Sequence, residues 1–455
     1  MQKLFDEVAS LDKRCYERFM LSEDILMEHA SSGMADFIRS KFDVGSKVIV
    51  ACGSGNNGAD GLALARLLHG DYDVKIFYVK EPSSEMAYLQ QARVNALKVS
   101  SCQKLSDCDV LVDAIVGTGF SGEFDENITK IIQRMNSLKA YKIACDVPSG
   151  YKFYADTTLT MGALKKDIYL DSHKEFVGDI KVLDLGVSRD VYEGETNWNL
   201  LDLQDLKLPY RTQKDSHKGT FGHLALACGT KSGASIMSAK SALRFGAGLV
   251  TLVGKKSKSI PHSIMHSKEL PQTTTALACG MGLGDAYDDK KMAKFLNNDF
   301  PLVCDADIFN MPILLEILKR DNIVLTPHAK EFVSLLKSTE IADISVELLQ
   351  ENRFKYVELF TKKFPHAVLL LKGANVILAQ GNKFYINPHG TSALAKGGSG
   401  DVLSGLVGAL LAQGYSPIES AINASLAHTK LACGFEGADF SLTPDDLIDG
   451  IKNLT

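Results

Sequence analysis

Two glycine-rich segments carry most of the chemistry legible in this chain. The first is Gly53-Ser54-Gly55-Asn56-Asn57-Gly58-Ala59-Asp60-Gly61, which follows the apolar run VIVAC and leads into a helical pattern. Glycines let backbone N–H groups approach an anion, and a helix start adds partial positive charge. Gly53-x-Gly55-x-x-Gly58 satisfies the dinucleotide spacing GxGxxG, yet Lys80-Glu81 supplies only loosely the acid that a redox-cofactor site wants after the second strand. Asn56, Asn57 and Asp60 are more polar equipment than a phosphate cradle needs; they suit a sugar, or a cation bound through oxygen. An Asn-rich turn with a helix cap is the plain structural alternative. The second segment, Lys396-Gly397-Gly398-Ser399-Gly400-Asp401, opens the apolar helix pattern VLSGLVGALLAQG. Several N–H groups at a positive helix end, with Asp401 placed to accept a hydroxyl proton, read as an anion hole plus base, the equipment of phosphoryl transfer. It is not a Walker A loop, because the GK[ST] ending is missing.

Neither segment is isolated. In the first half, Asp113-Ala-Ile-Val-Gly117-Thr-Gly119-Phe-Ser-Gly122 and Asp146-Val-Pro148-Ser149-Gly150 also end apolar runs. In the second half, Gly280-Met281-Gly282-Leu-Gly284, Asp305-Ala-Asp307, Thr326-Pro327-His328 with Glu331, and Leu371-Lys372-Gly373-Ala374-Asn375 do the same. The elements that would position them alternate as short apolar strands and helical patterns. Strands are expected at 47–52, 74–79, 110–116, 142–145 and 180–185, and then at 224–228, 249–253, 302–304, 323–325 and 368–371. Helices are expected at 59–69 and 86–98, among others. This rhythm predicts α/β architecture with two doubly wound domains of parallel sheet, whose ligands sit at the carboxyl ends of strands. The expected domains are 1–200 and 212–455, with the seam in the polar stretch near Glu195–Asp215.

GNNGADG, DAIVGTGFSG and DVPSG, in this order, resemble the YjeF N-terminal family of NAD(P)H-hydrate epimerases, a Rossmann-like domain, over about residues 1–190. The resemblance implies that hydrated NADH or NADPH binds at Asn56, Asn57, Gly58, Ala59 and Asp60, at the loop Gly117, Thr118, Gly119, Phe120, Ser121, Gly122 and Glu123, and at Asp146. It implies a potassium ion near Asn57, Asp113 and Ser149. Asp146 is the candidate for proton transfer at C6. Ala59 departs from the family's NNGGDG, a change expected to be harmless unless that position needs a positive φ. The order GAGLV, GMGLG, DAD, TPHxxE, KG and GxGD resembles the YjeF C-terminal family, dehydratases with a ribokinase-like fold, over about residues 212–455. It implies that Lys372, Gly373, Ala374, Asn375, Val376 and Gly400 contact ADP or ATP. It also implies that Gly282, His328 and Asp401 contact the hydrated cofactor, with Asp401 as base and Mg²⁺ bridging nucleotide phosphates. Met281, Ser399 and Asn375-Val376 stand where the family prefers proline, threonine and a threonine-containing pair; His328 alone also suits a structural role.

The joint expectation is a bifunctional enzyme that epimerises hydrated NAD(P)H and dehydrates the S form. A ribokinase-like vitamin or sugar kinase with an N-terminal nucleotide-binding partner domain is the alternative, and GNNGADG with DVPSG argues against it. A dinucleotide oxidoreductase lacks a visible reducing constellation, and a merely binding N-terminal module would not need Asn57, Asp113, Asp146 and Ser149 together. A net charge of −5 without a basic tract disfavours nucleic acid. Apolar runs of strand length disfavour membrane insertion. Nine cysteines without a CxxC pair, and an N-terminus unlike a signal peptide, point to reduced thiols in the cytoplasm. A homo-oligomer is expected.

Overall fold

The computed structural model describes all residues, Met1–Thr455. They form two compact units, Lys3–Thr196 and Asn197–Thr455, with Met1–Gln2 counted in the second.

The first unit is built on six parallel strands: β1 (Lys47–Cys52), β2 (Asp73–Tyr78), β3 (Val110–Ala114), β4 (Tyr141–Cys145), β5 (Thr157–Met161) and β6 (Asp179–Leu183). Their spatial order is β2-β1-β3-β4-β5-β6. Strand β1 shows why the sheet is covered on both faces. Val48, Val50 and Cys52 join Leu62, Leu64 and Leu68 in one core, while Ile49 and Ala51 join Ile128, Ile132 and Met135 in the other. The register Ala51↔Asp113 and Asp113↔Ala144 sets the strand-end loops side by side. Strand β5 was not anticipated, since TTLTM reads as half polar. All five residues are nevertheless buried, and the Thr158 hydroxyl is satisfied by donating to Val177 O at 2.7 Å. The first helix after β1 runs Asn56–Leu68, three residues earlier than expected, so Asn56 and Asn57 lie in its first turn.

The second unit carries β7 (Trp198–Leu200), β8 (His223–Cys228), β9 (Leu249–Gly254), β10 (Met265–Ser267), β11 (Ala276–Cys279), β12 (Leu302–Cys304), β13 (Ile323–Leu325), β14 (Val368–Leu371), β15 (Val376–Gln380) and β16 (Lys383–Asn387). The order is β10-β9-β8-β11-β12-β13-β14-β15-β16-β7, parallel except that β15 runs antiparallel to both neighbours. The helix Ser399–Ala412 is buried at every position from Val402 to Ala412 and packs on the helix Ser232–Arg244. A β-carbon at Gly405 would stand 1.9 Å from Ser241 Oγ, so only glycine permits this approach. No helix is long and apolar enough to cross a membrane.

The expected boundaries at 200 and 212 need correction, because residues 197–211 belong to the second unit. Trp198 pairs with Phe384 in parallel register, stacks on its ring at 4.6 Å, and donates from Nε1 to Glu358 Oε1 at 2.8 Å. Leu200 and Leu201 are buried. The intervening polar residues disguised this short edge strand as a linker. A fragment beginning at Asn197 should therefore fold, whereas one beginning at residue 212 loses a large aromatic and two leucines from its core. The shorter fragment should be less stable by at least ~3 kcal/mol, measured by urea unfolding of the two fragments side by side.

Candidate active sites

In the first unit the carboxyl ends of β1, β3 and β4 converge on a cleft of about 460 Å³ lined by Asp12, Asn56, Asn57, Asp60, Gly117 and Asp146, among others. Backbone proximity makes it possible. A β-carbon on Gly53 would lie 1.9 Å from Ile115 O, and one on Gly58 would lie 2.0 Å from Gly53 O. Gly117 sits where its β-carbon would come within 3.1 Å of Asp146 Oδ2 and 3.4 Å of Asn57 Oδ1, so three separate loops meet at that point. Ala59 is buried within the helix and is not among the residues with positive φ, which removes the concern about its missing glycine.

Asp146 adopts φ +70°, a left-handed backbone that aspartate tolerates better than most residues. Its Oδ1 accepts from the Lys165 ammonium, and from Met161 N at 3.2 Å. Lys165 is almost wholly withdrawn from water, with 1% of its side chain exposed, and its ammonium also donates to Thr160 Oγ1 at 2.8 Å and Met161 O at 3.1 Å. Every lysine N–H is thereby used, the condition for burying a charge. Asp146 Oδ2 has no hydrogen-bond partner in the protein and belongs to the cleft wall. Sequence reasoning missed Lys165 because its own strand, Leu164–Lys165, is two residues long and carries no motif.

Other acids share this cleft. Burial, followed by the charges of Asp146, Asp12 and Glu23, pushes the Asp60 carboxyl well above the ordinary range. Burial also raises Asp12, against a hydrogen bond from Tyr192 Oη at 2.7 Å. Asp113 and Ser149 form a unit: Ser149 N donates to Asp113 Oδ2 at 2.8 Å, and its hydroxyl donates to Oδ1 at 2.6 Å. Val116 N in turn donates to Ser149 Oγ at 3.1 Å. Asp113 is fully buried, and burial pushes its carboxyl up to about 6 despite those bonds. Asn57 is not bonded to this pair; its Nδ2 is buried without a partner. Thr118, Gly119 and Phe120 line the cleft, whereas Ser121, Gly122 and Glu123 do not.

In the second unit Gly398, at φ +94°, turns the chain into the helix that begins at Ser399 and sets Asp401 in its first turn. Ser238 Oγ donates to Asp401 O at 2.8 Å and Ser241 Oγ to Val402 O at 3.0 Å, which pins this turn to the neighbouring helix. Burial and the charge of Asp305 push the Asp401 carboxyl up to about 6, against the pull of Lys372. Lys372 Nζ donates to Asp305 Oδ1 at 2.6 Å, and Ser404 Oγ, on the Asp401 helix, donates to Asp305 Oδ2 at 2.6 Å. The Lys372 ammonium lies 3.2 Å from where a Gly400 β-carbon would be, so its remaining N–H groups are beside the glycine loop.

His328 caps the helix Ala329–Ser338: its Nδ1 accepts from Glu331 N at 3.2 Å, while its backbone N–H donates to Glu331 Oε2 at 2.9 Å. The ring remains 53% exposed, so capping leaves a face for a ligand. Gly282, at φ +67°, accepts from Lys231 N at 3.1 Å and packs against Ala234, which adds the segment 230–234 to the site; no motif pointed there. Met281 is buried in the core and faces away from this loop's open side. The Val376 side chain is likewise in the core, leaving only its backbone to meet a ligand. A second residue missed by the motifs is His428, buried in the helix Pro417–Cys433. Burial, then the Lys372 charge, hold it down to about 4, hence neutral, and its Nε2 is buried without a hydrogen-bond partner.

Comparison with known proteins covers both units. Residues 23–167 match the family described as YjeF-related protein N-terminus, and residues 224–453 match the family described as NAD(P)H-hydrate dehydratase. The chain is 40% identical to the bifunctional NAD(P)H-hydrate repair enzyme Nnr of Helicobacter pylori over 100% of both chains. It is 30% identical to that of Coxiella burnetii over 95% of each chain. Against that of Escherichia coli it is 30% identical over 89% of this chain and 83% of the relative. Among solved structures, an ADP/ATP-dependent NAD(P)H-hydrate dehydratase from Bacillus subtilis co-crystallized with ATP/Mg²⁺ aligns with TM-score 0.46 and 26% identity, covering 55% of this chain and 94% of that one.

The buried Asp146–Lys165 pair yields a direct stability prediction. Lys165→Met leaves Asp146 with an uncompensated charge in a cleft already rich in acids, and should cost ~3–5 kcal/mol. The loss should shrink when Asp146→Asn is added. Equilibrium denaturation of the single and double variants measures this coupling.

Proposed function

Since this chain belongs to the family of bifunctional NAD(P)H-hydrate repair enzymes, we propose that its Lys3–Thr196 unit interconverts the R and S forms of hydrated NADH and NADPH. On the same reading its Asn197–Thr455 unit dehydrates the S form at the expense of ADP or ATP. The observation that carries it is one chain, aligned end to end with such enzymes, holding both an acid in a glycine-lined cleft and a carboxylate at a glycine-capped helix start.

In the first unit Asp146 moves the proton. Lys165 and Met161 N hold its Oδ1, which leaves Oδ2 toward the cleft, where C6 of the hydrated ring would lie. Asn56, Asn57 and the Gly117–Phe120 loop would hold the nucleotide, with Asp60 and Asp12 on the same cleft wall. A potassium ion would be held at Asn57 Oδ1, Asp113 and Ser149 Oγ, since an amide oxygen, a carboxylate and a hydroxyl are hard oxygen donors; Asn57 Oδ1 lies at the point where the Gly117 and Asp146 loops meet. When bound it would supply positive charge beside Asp113, which burial alone raises.

In the second unit Asp401 accepts the proton of the C6 hydroxyl as that oxygen bonds to the terminal phosphorus of the nucleotide and the bridging P–O bond breaks. Phosphate then leaves C6 together with a proton from C5, which restores the ring double bond. The substrate has lost water, recovered as inorganic phosphate, and the nucleotide is one phosphate shorter. Lys372, Gly373, Ala374, the Val376 backbone and Gly400 would face the nucleotide. Both oxygens of Asp305 are engaged by Lys372 and Ser404, so Mg²⁺ would be held chiefly by the phosphates themselves. Nine free cysteines suit a reduced, cytoplasmic setting, and we extend the proposal to a homo-oligomer there.

Three outcomes test this reading. Asp401→Asn should lower dehydration by ~10²–10⁴-fold and leave epimerisation intact; near wild-type dehydration would remove Asp401 as base. A base must be ionised to accept a proton, and Asp401 is raised to about 6. Dehydration kcat/KM should therefore be flat above that pH and fall about tenfold per unit below it, read from a pH–rate profile. Finally, Asp113→Asn should weaken potassium activation of epimerisation and reduce its rate at least tenfold, with a stability loss within ~1–3 kcal/mol for the unpaired Ser149 donors. Potassium titrations of R-to-S exchange that are the same in both proteins would reject the ion site.

A further inference from the structure

Beside the dehydratase site, the second unit opens a cleft of about 570 Å³ that none of the motifs points to. It lies at the carboxyl ends of β8 and β9, where Thr230 and Gly254 form part of its wall. Four lysines line it, Lys255, Lys268, Lys291 and Lys294, against two acids, Glu269 and Asp285. Lys294 is matched by Glu269 at 3.2 Å, and Lys291 donates to Ala286 O at 3.0 Å. Lys255 and Lys268 have no ion-pair partner and are exposed. Positive charge is therefore in surplus in a concave, partly desolvated place, which selects an anion of more than one charge. Two aromatic residues, Tyr287 and Phe295, line the same cleft; Tyr287 is fixed by donating from its hydroxyl to Val253 O at 2.7 Å. Phe295 is buried behind it, and the half-buried Tyr287 ring beside unpaired lysines suits a purine carrying phosphate.

The cleft borders the Gly280–Gly284 loop, which follows the strand next to β8 in the same sheet. Thr230 N donates to Leu283 O at 3.1 Å, and Gly284 N donates to Asp307 Oδ2 at 3.1 Å. Asp307 is two residues from Asp305, and its charge reaches Asp401. A ligand whose ring lies at Asp401 and whose chain passes the Gly282–Gly284 loop would enter this cleft with its far end.

We propose that this cleft binds the adenosine end of the hydrated dinucleotide and that Lys255 and Lys268 recognise the 2′-phosphate, giving a preference for hydrated NADPH over hydrated NADH. The assignment rests on the dehydratase reading of this unit. The 2′-phosphate is the one group that distinguishes the two substrates, and it carries the multiple charge the lysines lack a partner for.

The test uses the full-length protein and the double variant Lys255→Ala/Lys268→Ala, whose substitutions are on exposed side chains. Dehydration of the S hydrates of NADPH and NADH is measured in each, with binding of adenosine 2′,5′-bisphosphate followed by calorimetry. The expected result is a rise of about tenfold in KM for hydrated NADPH, with kcat unchanged, little change for hydrated NADH, and loss of bisphosphate binding. Equal changes for both hydrates, or no change for either, would overturn the proposal while leaving the dehydratase reading in place. Wild-type protein that binds the bisphosphate through these lysines yet dehydrates neither hydrate would instead refute the reading on which the substrate's orientation depends, and with it the proposal.

Discussion

Each unit is organised around a lysine ammonium held against an aspartate at the carboxyl edge of a parallel sheet. Removing such charges from water costs several kcal/mol per ion, and the cost is offset only where hydrogen bonds are complete. The two pairs meet this condition differently. Lys165 spends its three N–H groups on Asp146, Thr160 and Met161, so it orients the acid and has nothing left to offer a ligand. Lys372 spends one on Asp305, and the rest lie beside Gly400. One lysine is therefore a fixed counter-charge, while the other still has donors for an incoming anion.

These pairs can sit where they do because backbone replaces side chain around them. Gly53, Gly58 and Gly117 let three strand-end segments close to contact distance, and the buried Asp113–Ser149 bonds lock two of them in register. In the second unit Gly405 lets the Asp401 helix settle onto the Ser232–Arg244 helix, whose serine hydroxyls then fix the first turn. Ser404 connects that helix to Asp305 and hence to Lys372. The position of Asp401 thus depends on a chain of buried and half-buried bonds.

Electrostatics follows from the same geometry. In the first cleft burial, with the neighbouring carboxylates adding to it, raises Asp12 and Asp60. In the second, burial and then the charge of Asp305 raise Asp401 while Lys372 restrains the rise, which suits the base proposed there. Burial and the charge of Lys372 hold His428 neutral, so it adds no second positive charge beside Lys372.

The amino-acid sequence by itself determined the loops and their order. Glycine requirements, helix starts and strand ends are local, and GNNGADG, DVPSG and GGSGD each announce a backbone shape that few other residues allow. The succession of apolar runs likewise pointed to parallel sheets, because strands buried on both faces are mostly apolar, the threonine-rich β5 excepted. Tertiary structure alone decided which side chains complete these loops. Asp305 meets Lys372 across 67 residues and Ser404 across 99, separations at which no spacing pattern survives. Lys165 and His428 lie in segments that carry no motif, and Trp198 marks an edge strand hidden in a polar stretch. Their roles come from burial beside a partner, and burial is a property of the packed chain rather than of any short stretch of it.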